Sequence, residues 1–150
     1  MNLGEALSLL KKEKSRLSRL IDLRKENVYK EENKKATFNP KKLSTEINKK
    51  IDEIRTLKIR IQKTNLNTLV KGETISLAEA IIKVNDIRKK IATLSTLFEE
   101  RRSYFSDSKE KKKIAQLDEL TIEDEIMALE REKVHLDNKI QMTNWVTIVH

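Results

Sequence analysis

The chain has 150 residues, a formal net charge of +8, equal charged and hydrophobic fractions of 37%, two Gly, one Pro and no Cys. So few turn residues exclude an all-β sandwich or an α/β sheet with many tight turns, and leave a helical bundle or coiled coil. The absence of Cys excludes a disulfide framework, a thiolate metal site and a thiol nucleophile.

The first periodic run places Leu3, Leu7, Leu10, Leu17, Leu20 and Ile21 on one helical stripe, interrupted at Lys14. Asn2 caps it, with Glu5 at the capping-box spacing. Residues 28–39 are polar and charge-rich, and Asn39-Pro40 reads as a cap followed by a first helical residue. A second helix then carries Leu43, Ile47, Ile51, Ile54, Leu57 and Ile61 at a coiled-coil period. The stretch around Lys71-Gly72 predicts a short β-hairpin. Ser76 caps a third helix with Glu79, and its seam is Leu77, Ile81, Val84, Ile87, Ile91, Leu94 and Phe98. Residues 103–113 form a polar, basic connector. Thr121 is the expected cap of a fourth helix bearing Ile122, Ile126, Leu129, Leu136 and Ile140, interrupted at Lys133.

An internal repeat organises these elements. RIQKTNLNTLV at 60–70 matches KIQMTNWVTIV at 139–149, and the register extended back to Leu43 gives ten identities over 28 positions, at an offset of 79. LGEAL at 3–7 matches LAEAI at 77–81 at an offset of 74. The implied architecture is all-α: a duplicated αα-hairpin forming a long antiparallel four-helix, coiled-coil-like bundle. A short β-hairpin lies at the repeat junction and a short extended segment at the C-terminus. One domain is expected over 1–150, with repeats at 2–70 and 75–149. The candidate interaction or helix-exit positions are Gln62, Thr64, Asn65, Gln141, Thr143, Asn144 and Trp145. There Asn tolerates the left-handed conformation that stops a helix, and the two T-x-V segments are expected to bridge to each other. Trp145 is expected to anchor the C-terminal segment.

Charge is uneven: residues 1–113 hold 29 Lys/Arg against 16 Asp/Glu, and 114–150 hold 3 against 8. A basic body and an acidic last helix can neutralise each other within a bundle or across subunits. Basic clusters fall at Lys11-Lys12-Lys14, Lys34-Lys35, Lys41-Lys42, Arg88-Lys89-Lys90, Arg101-Arg102 and Lys111-Lys112-Lys113. Tyr29, Phe38, Tyr104 and Phe105 are too few to build a base-stacking platform, so nucleic acid ranks behind a solvated surface. Glu132 and His135 have the spacing of di-iron helices, but the repeat-equivalent residues are Glu53 and Thr56, so the partner histidine is missing. No catalytic, cofactor or metal residues are assigned. No phosphate loop, nucleophile motif or apolar run of membrane-spanning length occurs. Lys11, Lys12 and Lys14 come too early for a signal peptide.

RIQKTN followed by LVKGETISLAEA, together with KIQMTNWVT, resembles a family of small bacterial helical proteins of uncharacterised function, some labelled septicolysin. The similarity runs from Leu3 to Val149, implies a bacterial origin and supplies no catalytic residues to carry over. The resulting expectation is a cytoplasmic, non-enzymatic, homo-oligomeric scaffold or interaction protein. Nucleic-acid binding through the basic connectors stands second, and metal-dependent activity at Glu132 and His135 third.

Overall fold

Two capping boxes start the first and third helices. In the computed structural model, which describes residues 1–99 and 113–150, the Asn2 side chain accepts from the Glu5 amide, and Glu5 Oε2 accepts from the Asn2 amide, both at 2.8 Å. Ser76 and Glu79 repeat the arrangement at 3.2 and 2.7 Å. Each pair satisfies two amides that a helix start leaves without partners. Helix α1 follows over Leu3–Glu26 and α3 over Leu77–Ser95. Helix α2, Pro40–Asn67, begins with Pro behind an Asn39 cap that accepts from the Lys41 amide at 2.9 Å.

Helix α4, Glu119–Val146, starts earlier than expected. Its first turn is closed by Asp118, whose Oδ2 accepts from the Thr121 hydroxyl at 2.6 Å and the Thr121 amide at 3.2 Å. A carboxylate takes both donors and suits the positive end of the helix dipole, so Thr121 is a donor to the cap and not the cap itself.

Among the described residues there is no strand, and the fold is all-α. The expected hairpin is a tight turn closed by one bridge, Leu69 to Ser76. The Val70 amide donates to the Ile75 carbonyl and the Glu73 amide to the Val70 carbonyl, both at 2.9 Å. Gly72 sits at φ 76°, where a Cβ is strained. The two T-x-V segments do not bridge to each other. Ile148 pairs instead with Asn2, as Leu69 does with Ser76. The two cap residues have extended backbone, so each offers a strand-like edge to an arriving segment.

The chain groups into two compact units, Met1–Thr68 with Thr143–His150, and Leu69–Met142. In the first, Lys50 meets Glu13 and the Arg24 guanidinium donates to Ser44 Oγ at 3.1 Å. Rising positions on α1 thus meet falling positions on α2, which makes the pair antiparallel. Its seam steps by three and four through Leu3, Ala6, Leu10, Glu13, Leu17 and Leu20, against Leu43, Ile47, Lys50, Ile54, Leu57 and Ile61. Leu7, Ile21 and Ile51, expected in the stripe, are exposed. Each is one residue off the seam, about 100° around the helix. The polar interruption in α1 is accordingly Glu13, not Lys14.

The second unit buries Leu77, Ala80, Val84 and Ile87 of α3, Ile122, Leu136 and Ile140 of α4, and Val70 of the turn. The expected Ile81 is again displaced by its Ala neighbour and lies exposed. Each fully buried Leu, Ile or Val stabilises by about 1.5–3 kcal/mol. Positions related by the sequence repeat share their burial: Leu3 with Leu77, Ala6 with Ala80, Leu57 with Leu136, and Val70 with Val149.

Candidate interaction surfaces

A charged layer interrupts the apolar seam of the first unit. Glu13 Oε2 lies 2.7 Å from Lys50 Nζ, and Oε1 accepts from the Arg16 guanidinium at 2.8 Å. Lys50 also donates to Glu53 at 2.7 Å. The adjacent Lys50 ammonium is the main influence holding the Glu13 carboxyl below its ordinary range, and Glu13 in turn raises the Lys50 ammonium. The repeat-equivalent residues of the second unit are Ile87 and Leu129. Glu13 Oε1 is hydrogen-bonded to Arg16 and Oε2 is ion-paired with Lys50, so a charged pair stands where the rest of the seam is apolar.

The predicted exit positions differ in burial. Gln62 and Gln141 are exposed, Thr64 is half-buried, and Asn65, Thr143 and Asn144 are buried. Both Thr-Asn pairs lie inside the last helical turns, and among the described residues only Gly72 has a positive φ. They therefore do not stop their helices through a left-handed Asn. The Thr64 hydroxyl donates to the Arg60 carbonyl at 3.0 Å, while the Thr147 amide and hydroxyl reach the Thr143 carbonyl at 3.0 and 2.8 Å. The Thr147 amide bond carries α4 past Asn144.

Trp145 lies across Gly4: a Cβ at Gly4 would stand 3.1 Å from Cδ2 and Cε3 of the indole. Trp145 as a whole remains 57% exposed. The Leu3 amide donates to the Thr147 carbonyl at 2.8 Å and the Val149 amide to the Met1 carbonyl at 3.1 Å, which ties the last residues to the start of α1. The Arg60 guanidinium donates to the carbonyls of Val149 and His150 at 3.3 and 3.2 Å. Its repeat equivalent, Lys139, pairs with Glu73 of the tight turn and holds that carboxyl low. Arg60, Lys139 and Glu73 were not singled out from sequence, although a basic residue at both repeat positions was the available signal.

Two outward faces differ in chemistry. On α1, Ser8, Lys11, Lys12, Ser15, Arg16 and Arg19 line a shallow groove. On α4, Leu120, Met127 and Val134 are 69%, 57% and 52% exposed at seven-residue spacing. Glu132 and His135 are exposed, and Glu132 lies 3.5 Å from Lys83. Among the described residues no three His, Asp or Glu gather as metal ligands, and no helix is long and apolar enough to cross a membrane. The described basic clusters Lys11-Lys12-Lys14, Lys34-Lys35, Lys41-Lys42 and Arg88-Lys89-Lys90 are exposed. Arg101, Arg102, Tyr104, Phe105, Lys111 and Lys112 lie outside the described residues.

These elements define an all-α protein of paired long helices with capped, bridged ends. The chain belongs to a family of unknown function (DUF6847), whose model matches residues 11–149. It is also similar to a functionally unknown conserved protein from Corynebacterium diphtheriae, known from a crystal structure. That match has 28% identity and a TM-score of 0.90, covering 100% of this chain and 99% of the other. No curated protein matches. Neither match carries the septicolysin label.

Proposed function

We propose that this chain is a non-enzymatic helical scaffold that acts through protein contacts and assembles with itself. The observation that supports this is the outer face of α4. One side of that helix buries Ile122, Leu136 and Ile140, while the other presents Leu120, Met127 and Val134 to solvent. A soluble helix with one seam already filled needs no second apolar row. The matching burial of repeat-related positions supports reading the chain as one domain built from a duplicated hairpin, 2–70 and 75–149. The proposed setting is the bacterial cytoplasm, in keeping with the resemblance to septicolysin-labelled bacterial proteins. Light scattering after size exclusion, from about 10 μM to about 500 μM, should show a mass that rises above the monomer, the range suiting a small reversible interface. A monomer throughout sinks the self-assembly.

A second reading is favoured by the α1 groove. Between positions 8 and 19 the chain carries five cations, and the single acid, Glu13, is turned into the seam. Such a face fits a phosphate backbone. Affinity for duplex DNA should fall steeply with salt and should weaken in Lys11→Glu and Arg19→Glu. Affinity that is insensitive to salt overturns this reading.

A further inference from the structure

We infer that two copies pair antiparallel through the outer faces of α4, with Met127 of one copy against Met127 of the other. This rests on the self-assembly proposed above and gives it a geometry.

The pattern is self-complementary. Leu120 and Val134 each lie seven residues from Met127, so an antiparallel two-fold axis at Met127 sets Leu120 against Val134 twice. Arg131 follows Met127 by four residues and Glu123 precedes it by four, so the same axis brings each Arg131 to Glu123 of the second copy, with Asp124 beside it. A parallel pair would instead oppose Arg131 to Arg131 and Glu123 to Glu123. The charges therefore select the antiparallel arrangement.

These charges are available. Arg131 donates through Nε to the Met127 carbonyl at 3.3 Å, and among the described residues no ion pair engages Arg131, Glu123 or Asp124. The hairpin itself does not require the apolar row. At the repeat-equivalent positions of α2 stand Lys41, Asn48 and Arg55. The contact from Leu120 to Val134 is about 21 Å long, which suits reversible association.

Cross-linking and charge reversal test the geometry. Because the chain has no Cys, Met127→Cys gives a single thiol, and a short bis-maleimide should link it efficiently into dimers. Leu120→Cys alone should link poorly but should link well when mixed with Val134→Cys. Leu120→Cys that links to itself as readily as Met127→Cys overturns the antiparallel pairing. Arg131→Glu should raise the dimer dissociation constant at least about tenfold, and so should Glu123→Lys with Asp124→Lys. An equimolar mixture of the two reversed chains should recover wild-type association as a heterodimer, with helicity by circular dichroism unchanged throughout. Reversed chains that associate like wild type, or a mixture no tighter than its components, defeat the pairing while leaving self-assembly standing. Monomeric wild type at every concentration defeats both.

Discussion

At Gly4 the absence of a side chain makes room for the Trp145 indole. Gly4→Ala puts a methyl 3.1 Å from two ring carbons, so the ring must shift. The expected loss of stability is about 1–3 kcal/mol. Trp145 is the only Trp, so its emission should redden in the same variant. Gly72 acts differently, since nothing crowds it and its φ of 76° alone resists a Cβ. Gly72→Ala should lose about 1–2 kcal/mol with Trp emission unchanged. Glu13 supplies a pH signature. Its folded pKa lies below the ordinary 4.5, chiefly through Lys50. The stabilisation is therefore complete above that value and is lost as pH falls through the folded one. Lys50 has the opposite sign: raised above 10.5, it holds its contribution below that value and loses it as pH climbs through the folded one. Glu13→Gln should flatten the acid limb of a thermal-unfolding pH series, and an unchanged limb would count against the ion pair. Replacing both partners with Leu should restore or exceed wild-type stability, because an apolar pair suits the seam that Ile87 and Leu129 already illustrate.

At the scale of the helices, the features set by local rules were legible in the sequence. The Asn2–Glu5 and Ser76–Glu79 boxes and the Asn39-Pro40 start depend on spacings of one to three residues. Ser76→Ala should accordingly lose about 1 kcal/mol, measurable by denaturant unfolding. The phase of α1 was less legible, because the buried positions include Ala6 and Glu13 while larger apolar neighbours such as Leu7 face solvent. Counting hydrophobic side chains favours the bigger residue, whereas the geometry of a two-helix seam favours the one on the line. The exits escaped sequence reasoning for another reason. T-x-V announces an extended segment, but its partner is set by which capped start lies beside it in space. That is why Leu69 found Ser76 and Ile148 found Asn2. The cationic clamps Arg60 and Lys139 belong to the same tertiary level and have no local signature.

Across the whole chain, the two bridges make equivalent junctions, one closed by a turn and the other left open at the chain ends. Six residues separate Leu69 from Ser76, whereas Val149 and His150 follow Ile148 and Met1 precedes Asn2. Three added residues with a leading Gly would match the open junction to the closed one, placing that Gly where Gly72 stands. The molecule is thus suited to circular permutation. A chain joined from His150 to Met1 by such a linker and opened at Gly72 keeps every helix, cap and bridge partner, with the helices in the order α3, α4, α1, α2. It should unfold cooperatively within a few degrees of the parent, with Trp145 emission preserved, since new ends at an exposed turn tip sacrifice little buried structure. Cooperative unfolding of the permuted chain would show that the Leu69–Ser76 and Asn2–Ile148 junctions are interchangeable ways of tying an arriving segment to a capped helix start.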